Sequence, residues 1–371
     1  MKAAPRSKSR AANPAAPAAS DDETFFAPEL MLASRNHAMP LEMLSHDRTP
    51  AGMHYLLVHF DIPTVDTADW RLRIGGAVRH PLELSLAQLQ ERERHTLAVT
   101  MECAGNGRSL IRPHPAGMPW MHGGVGTAEW TGTPLAPLLE EAGLSPETVD
   151  IVFTGADRGI QDGEEQAYAR SLPVAEALSP HVLLAYAMDG NPLPPQHGFP
   201  VRLVVPGWYG MASVKWLTRI EALTRPFEGF QQIGSYRFKG SARERGEPVT
   251  RIRVRALMVP PGIPDFFTRR RLVDAGQVLL QGRAWSGQAP IRRVEVAVDG
   301  VWSEAELDPP TGEFAWRRWT YPWSAVEGEH ELMCRALDGI GQIQPLEPEW
   351  NYLGMGNNAA QKVAVTVRPA A

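Results

Sequence analysis

Cysteine is scarce in this chain, with only two in 371 residues. Two cysteines cannot build a disulfide framework, a four-cysteine zinc site or a cysteine-ligated iron–sulfur cluster. The chain also lacks the Cys-x-x-Cys-His motif that attaches haem covalently. We therefore expect neither haem nor an iron–sulfur cluster, and cysteine chemistry here is limited to a single thiolate.

Long apolar runs are missing too. No stretch approaches the roughly 18 apolar residues that a membrane-spanning helix needs. The Ala- and Pro-rich opening has no twin arginine and no leucine-rich segment, so we interpret residues 1–24 as a disordered tail rather than a signal peptide. We expect no membrane partner and a cytoplasmic location.

The chain has no excess of positive charge, and its formal net charge is −5. Its first basic residues, Lys2, Arg6, Lys8 and Arg10, all precede the first acidic residue, Asp21, so the rest of the chain is more acidic still. An acidic body disfavours nucleic acid and does not attract anions by bulk charge. A small anionic substrate therefore needs a local group of arginines.

What the chain does contain is turn residues, with 33 Gly and 33 Pro, and enough length for two domains. The composition shifts to Arg, Lys, Gly and Glu around residues 234–247, which predicts a linker. We place a first, catalytic domain at residues 25–237, the linker at 238–247 and a second domain at 248–371.

The first domain mixes strands and short helices without a regular βαβ rhythm, which predicts an α+β fold. Strands are predicted at Tyr55–Phe60, Arg71–Ile74, Thr96–Thr100, Asp150–Thr154 and Val182–Tyr186. Short helices are predicted at Ser85–Glu93, where serine is the cap, at Pro134–Ala142 and at Leu172–Leu178.

The second domain alternates apolar and polar residues along Val294–Val298, Glu331–Ala336 and Lys362–Val367. About seven short strands over ~120 residues are typical of an immunoglobulin-like sandwich. Cys334 lies on an inward position of this alternation, so we interpret it as a packing residue.

The other cysteine, Cys103, follows the predicted strand Thr96–Thr100 and begins the turn Ala104–Gly107. A lone cysteine is often a buried core residue. Glycines beside it, however, let a ligand approach closely, and Arg108 favours the thiolate, the form that binds metals. Packing and metal ligation both stay open at this point.

Several segments together resemble the sulfite oxidase family of molybdopterin-dependent oxidoreductases, in a haem-free layout. The resemblance runs in order from about Phe26 to Val367. Its motifs are Arg35-Asn36-His37, Cys103-Ala104-Gly105-Asn106, Gly117-Met118-Pro119-Trp120, Leu183-Leu184-Ala185-Tyr186, His197-Gly198-Phe199-Pro200-Val201-Arg202 and Val214-Lys215-Trp216-Leu217. It implies an α+β molybdopterin domain followed by a dimerisation domain, and a homodimer.

The resemblance implies one molybdopterin per chain. Cys103 corresponds to the family's molybdenum ligand, and a soft thiolate suits that metal. The positions implied for binding the pterin and its phosphate are Arg35, Asn36, His37, Asp157, His197, Arg202, Ser213, Val214 and Lys215.

For the substrate, the resemblance implies a sulfite anion bound by Arg35 and Arg108, with Trp120 and Tyr186 beside it. Guanidinium groups suit such an oxyanion. The implied reaction oxidises sulfite to sulfate with oxygen from water, and two electrons leave to oxygen or to an external carrier. The acceptor stays open, because no cytochrome b5-like segment is present.

The chain departs from the animal members at two positions. Gly107 stands where they have the first arginine of a pair, and Leu353 lies in the Tyr352-Leu353-Gly354 stretch where they place another arginine. The same cofactor acting on another oxyanion or sulfur compound, such as nitrate or a sulfane, is therefore an alternative. A non-catalytic interaction protein is a further alternative, which molybdenum analysis would exclude.

Overall fold

A computed structural model describes residues 27–370 of the chain. The predicted tail at residues 1–24 lies outside them. No helix within the described range is long and apolar enough to cross a membrane. The helices are α1 Ala27–Arg35, α2 Leu86–Gln90, α3 Leu135–Ala142, α4 Val174–Ala177 and α5 Phe230–Ile233, with single 3-10 turns at Leu41–Ser45, Ala51–Met53, Arg108–Leu110, Pro195–His197 and Gly210–Ala212.

The N-terminal half contains two sheets. Its strands are β1 Leu72–Gly76, β2 Leu82–Leu84, β3 His95–Glu102, β4 Val125–Pro134, β5 Asp150–Gln161, β6 Glu164–Pro173, β7 Leu183–Met188, β8 Asn191–Pro192, β9 Arg202–Val204 and β10 Leu217–Leu223. One sheet has the order β2-β1-β10-β5-β6, and the other is β3-β4-β7-β8 with β9 also on β7. Apart from the parallel pair β1 and β10, all pairings are antiparallel. Mainly antiparallel sheets with short helices are the α+β organisation that the sequence predicts.

The C-terminal half is all β. Its strands are β11 Arg237–Phe238, β12 Glu247–Pro248, β13 Arg255–Met258, β14 Ile263–Pro264, β15 Arg271–Asp274, β16 Gly276–Trp285, β17 Ile291–Val298, β18 Val301–Glu304, β19 Glu306–Leu307, β20 Arg317–Ala325, β21 Gly328–Asp338 and β22 Gln361–Arg368. The sheets β13-β16-β20-β19 and β14-β15-β22-β21-β17-β18 share one apolar core. Cys334 is fully buried in that core, as predicted. The immunoglobulin-like class of this sandwich stays a prediction.

The sequence predicted local structure correctly where hydrogen bonds join residues that are close in the chain. Ser85 caps α2 because its hydroxyl accepts from the Gln88 backbone N–H, and the Ser85 N–H donates in turn to the Gln88 side-chain oxygen. The predicted strand at Tyr55–Phe60 is wrong, and only Leu56 forms an isolated bridge, with His37. There the Val58 N–H donates to the Asn36 side chain, 2.6 Å away, instead of to a neighbouring strand.

Two further expectations need correction. The strand predicted at Asp150–Thr154 continues as β5 to Gln161, through a change of register between Thr154 and Arg158. The segment predicted as a linker contains a small hairpin, β11 with β12, which Arg237 braces by donating to the carbonyl of Gly246. The domain boundaries themselves stay a prediction.

A buried ion pair joins the two halves of the chain at the end of β3. Glu102 lies 2.9 Å from the Arg255 guanidinium, and both side chains are 1% exposed. Glu102 also accepts from Trp285 Nε1 and from Asn106 Nδ2. Removing one partner of such a pair leaves a buried charge uncompensated, which is strongly destabilising. The last residue of β3 is therefore held from both domains.

Candidate active site

Cys103 directly follows β3 and is 6% exposed. Its backbone N–H donates to Gly124 O, and its carbonyl accepts from Asn106 N. Burial raises the pKa of the Cys103 thiol, whereas Arg108, the Gly105 N–H and the Trp120 side chain lower it by favouring the thiolate. The thiol thus lies where a cationic ligand such as a metal would release its proton.

Cys103 lines two cavities, which we call the cationic cleft and the apolar pocket. The cleft encloses about 700 Å³, counted out to its open mouth. This volume lies within the range of cofactor sites. The cleft is lined by His54, Tyr55, Leu56, Leu57, His59, Met101, Cys103, Ala104, Asp157, Tyr168, His197, Arg202, Gly210, Met211, Ser213, Lys215, Trp216 and Tyr236.

The cleft contains cations whose hydrogen-bond partners are carbonyl groups. Arg202 is 5% exposed and donates to the carbonyls of His197 and Ser213 at 3.1 Å each. Burial lowers the pKa of Arg202 to about 10. Lys215 Nζ donates to the carbonyls of Leu57 and Gln196 at 2.9 and 3.0 Å. Burial, and then the neighbouring Arg202, lower the pKa of Lys215 to about 7.

The single carboxyl group among these lining residues is Asp157, in the irregular part of β5. Burial raises its pKa to about 6, against the opposing influence of Lys215. Burial also lowers the pKa of His54 to about 4 and that of His197 to about 2, so both imidazoles are neutral at pH 7. One carboxylate for two cations leaves the cleft suited to an anionic, hydrogen-bonding ligand.

The segment Arg35-Asn36-His37 was expected in the site, but it lies behind the wall. His37 exchanges backbone hydrogen bonds with Leu56, and Asn36 accepts from Val58 N. Arg35 is exposed and donates to the Phe60 carbonyl at 2.8 Å. None of the three residues lines either cavity, whereas the segment they support, Leu57–His59, does. The structure places Arg35 outside both cavities, and its contact with the substrate stays a prediction.

The structure brings six of the expected residues to the cleft: Cys103, Asp157, His197, Arg202, Ser213 and Lys215. Val214, between two of them, does not line it. The Val214 side chain is buried in the main core, and its carbonyl accepts from Leu203 N. Its contribution is to pair with β9 and so to fix the positions of its two neighbours.

Tyr236 is the clearest residue that sequence reasoning missed. It lines both cavities, together with Leu57, His59 and Cys103. Its φ of 50° is unusual for a bulky residue, and strained backbone of this kind is found at active sites among other places. Burial raises the pKa of Tyr236 to about 12. A tyrosine directly before the predicted linker was the available signal, and the Arg-, Lys-, Gly- and Glu-rich composition around it concealed it.

The apolar pocket encloses about 1030 Å³, again counted to its mouth. Its lining consists of Leu32, Leu57, Val58, His59, Phe60, Cys103, Gly105, Arg108, Ala116, Gly117, Met118, Trp120, Ile160, Gln161, Ser235, Tyr236, Leu353 and Met355. Both Arg108 and Trp120 were expected beside the substrate, and both lie here with the Cys103 thiol. Leu353 also faces this pocket, from a segment in the other domain.

Arg108 is held tightly within this pocket. Its Nε donates to Leu353 O at 3.0 Å and its Nη1 to Met118 O at 2.9 Å. A Cβ at Gly105 or Gly117 would lie 2.7 or 3.0 Å from the guanidinium nitrogens. Glycine is therefore required at both places for the guanidinium to fit.

Tyr186, expected beside the substrate, lies on the wrong face of β7. Successive residues of a strand point to opposite faces. Ala185 packs in the cluster that contains Cys103 and Trp120, whereas Leu184 and Tyr186 pack against the main core. The Tyr186 hydroxyl bonds instead to Thr133. This expectation is corrected.

Comparisons with known proteins show the family to which this chain belongs. Residues 59–231 match the oxidoreductase molybdopterin binding domain, and residues 250–368 match the Mo-co oxidoreductase dimerisation domain. The chain is therefore a molybdopterin-binding oxidoreductase. Within that class it belongs to the sulfite oxidase family.

The relatives include human mitochondrial sulfite oxidase, which is 35% identical over 90% of this chain and 64% of its own length. Sulfite oxidase of Gallus gallus is 34% identical over 93% of this chain and 81% of its own. A rice NADH nitrate reductase is 29% identical over 92% of this chain but only 41% of its own. In the solved sulfane dehydrogenase SoxCD of Paracoccus pantotrophus, the matched chain shares the fold, with a TM-score of 0.78, 24% identity and coverage of 98% and 96%.

The donor set of the cleft fits a molybdopterin. Arg202 and Lys215 would face its phosphate, the neutral rings of His54 and His197 would offer hydrogen bonds to it, and the Cys103 thiolate is a soft ligand for molybdenum. The molybdopterin cofactor that the resemblance implies is thereby supported.

Lys215 gives the cofactor-free protein a distinctive pH dependence. Its folded pKa of about 7 lies below its ordinary value, so the unfolded chain binds more protons above pH 7. The free energy of unfolding should therefore rise from pH 7 towards pH 9. Below pH 7, where Lys215 is charged in the folded protein, the destabilisation caused by burying that charge should be complete. We expect urea midpoints to show this rise in the wild type and in a Lys239→Met control, and to lose it in Lys215→Met. Equal slopes in all three proteins would contradict the assignment.

Proposed function

We propose that this enzyme oxidises sulfite to sulfate, taking the oxygen atom from water and passing two electrons to oxygen or to an external carrier. The observation that supports the proposal most is the position of Cys103, which lines both the cationic cleft and the apolar pocket that contains Arg108. The named activity of the sulfite oxidase relatives supports it further. The chain spans 64% of the human relative's length, so the acceptor is a separate question.

One molybdopterin per chain would be held by Cys103 at the metal and by the cleft's cations at the phosphate. When bound, such a cofactor supplies oxygen-atom transfer and accepts the electron pair. We propose that neither haem nor an iron–sulfur cluster accompanies it.

The chain's own residues bind and neutralise the substrate. Arg108 is a fixed cation near the thiol, and its rigid anchoring costs no reorganisation when an anion arrives. Trp120 is 2% exposed and limits the water around that anion. The Tyr236 phenol, whose pKa burial raises to about 12, is protonated at neutral pH and can donate a hydrogen bond to a substrate oxygen.

A substrate panel tests this function. Molybdenum-loaded protein should reduce ferricyanide or a c-type cytochrome with sulfite, and metal analysis should find molybdenum without iron. Turnover of nitrate with a reducing dye, or of a sulfane, in place of sulfite would favour the alternative substrates. Absence of bound molybdenum after expression with the cofactor would refute the function.

We also propose that two chains form a homodimer through the matched dimerisation domain, which we take to be immunoglobulin-like. Closed twofold pairs are the commonest assembly of soluble proteins. Light scattering of the full chain should give twice the monomer mass of 40.8 kDa. The cytoplasmic location stays a prediction.

A further inference from the structure

The pocket beside Cys103 is mostly apolar. Inside it, Trp120 and Met355 are 2% and 7% exposed, and Leu353 is half-buried. At the mouth, Leu32 and Ile160 are 39% and 76% exposed and extend the apolar wall outward. An inorganic oxyanion gains no binding free energy from this surface, because an apolar wall stabilises only ligands that bury apolar groups against it.

Positive charge in the pocket is correspondingly sparse. Among its described lining residues, Arg108 is the one permanent cation, and the lining contains no lysine. Burial lowers the pKa of His59, whose Nε2 is also 2.9 Å from Gln161 Oε1, so this ring stays neutral at pH 7. Arg35 donates to the Phe60 carbonyl at the rim and does not line the pocket. The site therefore offers one fixed positive charge within an apolar wall.

From this arrangement we propose that the preferred substrate is an organic sulfinate, a singly charged anion with a carbon substituent on sulfur. The sulfinate group would face Arg108 and the thiol, and the substituent would contact Leu353, Met355 and the mouth. Sulfite also pairs with Arg108, but it has no apolar part to contact the wall, and its second charge has no further cation in the pocket. This inference rests on the proposed function, since both substrates present a sulfur lone pair.

The reaction balances as one sulfinate and one water giving one sulfonate, two protons and two electrons. A new sulfur–oxygen bond forms, both O–H bonds of the water break, and sulfur is oxidised by two electrons. The electrons go to two equivalents of a one-electron acceptor such as ferricyanide or a c-type cytochrome. The carbon–sulfur bond stays intact, so the product is a sulfonate and not sulfate.

Kinetics with molybdenum-loaded protein test the preference. We expect kcat/KM for benzenesulfinate to exceed that for sulfite about 10- to 100-fold, the gain that burying one apolar group of this size provides. Methanesulfinate should fall between them. Calorimetry supplies a readout without turnover: benzenesulfonate should bind at least about tenfold more tightly than sulfate.

Two variants test how much the apolar wall contributes to substrate preference. Leu353→Arg should reverse the preference towards sulfite, and Ile160→Thr, at an exposed position that does not endanger folding, should lower the ratio of benzenesulfinate to sulfite. Leu279→Arg is the matched control, because Leu279 is 60% exposed and lies on β16, outside the pocket. It should leave the ratio unchanged.

The outcomes separate the two proposals. Better turnover of sulfite than of either sulfinate, with equal binding of the two products, would overturn the sulfinate preference and leave sulfite oxidation standing. Loaded protein that oxidises neither sulfite nor sulfinates would overturn both.

Discussion

Cys103→Ser should yield a folded protein whose oxidase activity falls to background. A serine hydroxyl is a harder ligand than a thiol and far less acidic, so it does not replace a thiolate at a soft metal. The fold should survive, because the turn around residue 103 is held by the backbone bonds to Gly124 and Asn106. Steady-state assays, together with circular dichroism and molybdenum analysis, measure both parts of this expectation.

The chain supplies a matched control in its other cysteine. Cys334 is fully buried in the C-terminal core and lines neither cavity. Cys334→Ser places a hydroxyl in an apolar core and should lower stability while keeping turnover per bound molybdenum. Near wild-type turnover by Cys103→Ser would remove this residue from the mechanism.

Arg108→Gln should raise the KM for the anionic substrate about tenfold to a hundredfold. Losing a charge-assisted hydrogen bond in a buried site costs about 1.5–3 kcal/mol, which corresponds to that factor. Molybdenum content should change little, because Arg108 lines the apolar pocket and not the cationic cleft. Assays normalised to bound molybdenum separate substrate binding from cofactor loss.

Two companion variants sharpen this test. Arg108→Lys keeps the charge but loses the planar fork that reaches both Leu353 O and Met118 O, so its KM should lie between those of wild type and Arg108→Gln. Arg112→Gln is the control, since Arg112 also donates to backbone carbonyls nearby but lines neither cavity. If Arg108→Gln lost molybdenum and its remaining active fraction kept the wild-type KM, the arginine would serve the cofactor instead.

The sequence was most informative where function depends on short segments. Cys103 at the end of a strand, the turn after it and the nearby Arg108 could all be interpreted from neighbouring residues. The cleft positions between His197 and Lys215 were identified through the resemblance to the sulfite oxidase family, and they share a continuous segment in which Arg202 donates to the carbonyls of His197 and Ser213.

The sequence was less informative where a motif matched the family but its backbone lies outside the segments that line the cavities. Arg35-Asn36-His37 resembles a binding motif, yet its bonds go to the segment that lines the cavities. Tyr186 points away from the Cys103 side of β7, whereas its neighbour Ala185 points towards it. A strand predicted without its register does not tell which of two successive side chains faces the site.

The sequence by itself thus determined the strand and turn that carry the Cys103 thiol, because strand ends, turns and caps are set by interactions over a few residues. The basic residues of the cleft were identified through the family resemblance. Tertiary structure decided which side chains meet across the chain. Arg108 and Leu353 are 245 positions apart and are joined by one hydrogen bond. Tyr236 reaches Cys103 from a segment that looks like a linker. Such contacts arise when segments far apart in the sequence pack together, and no local pattern encodes them.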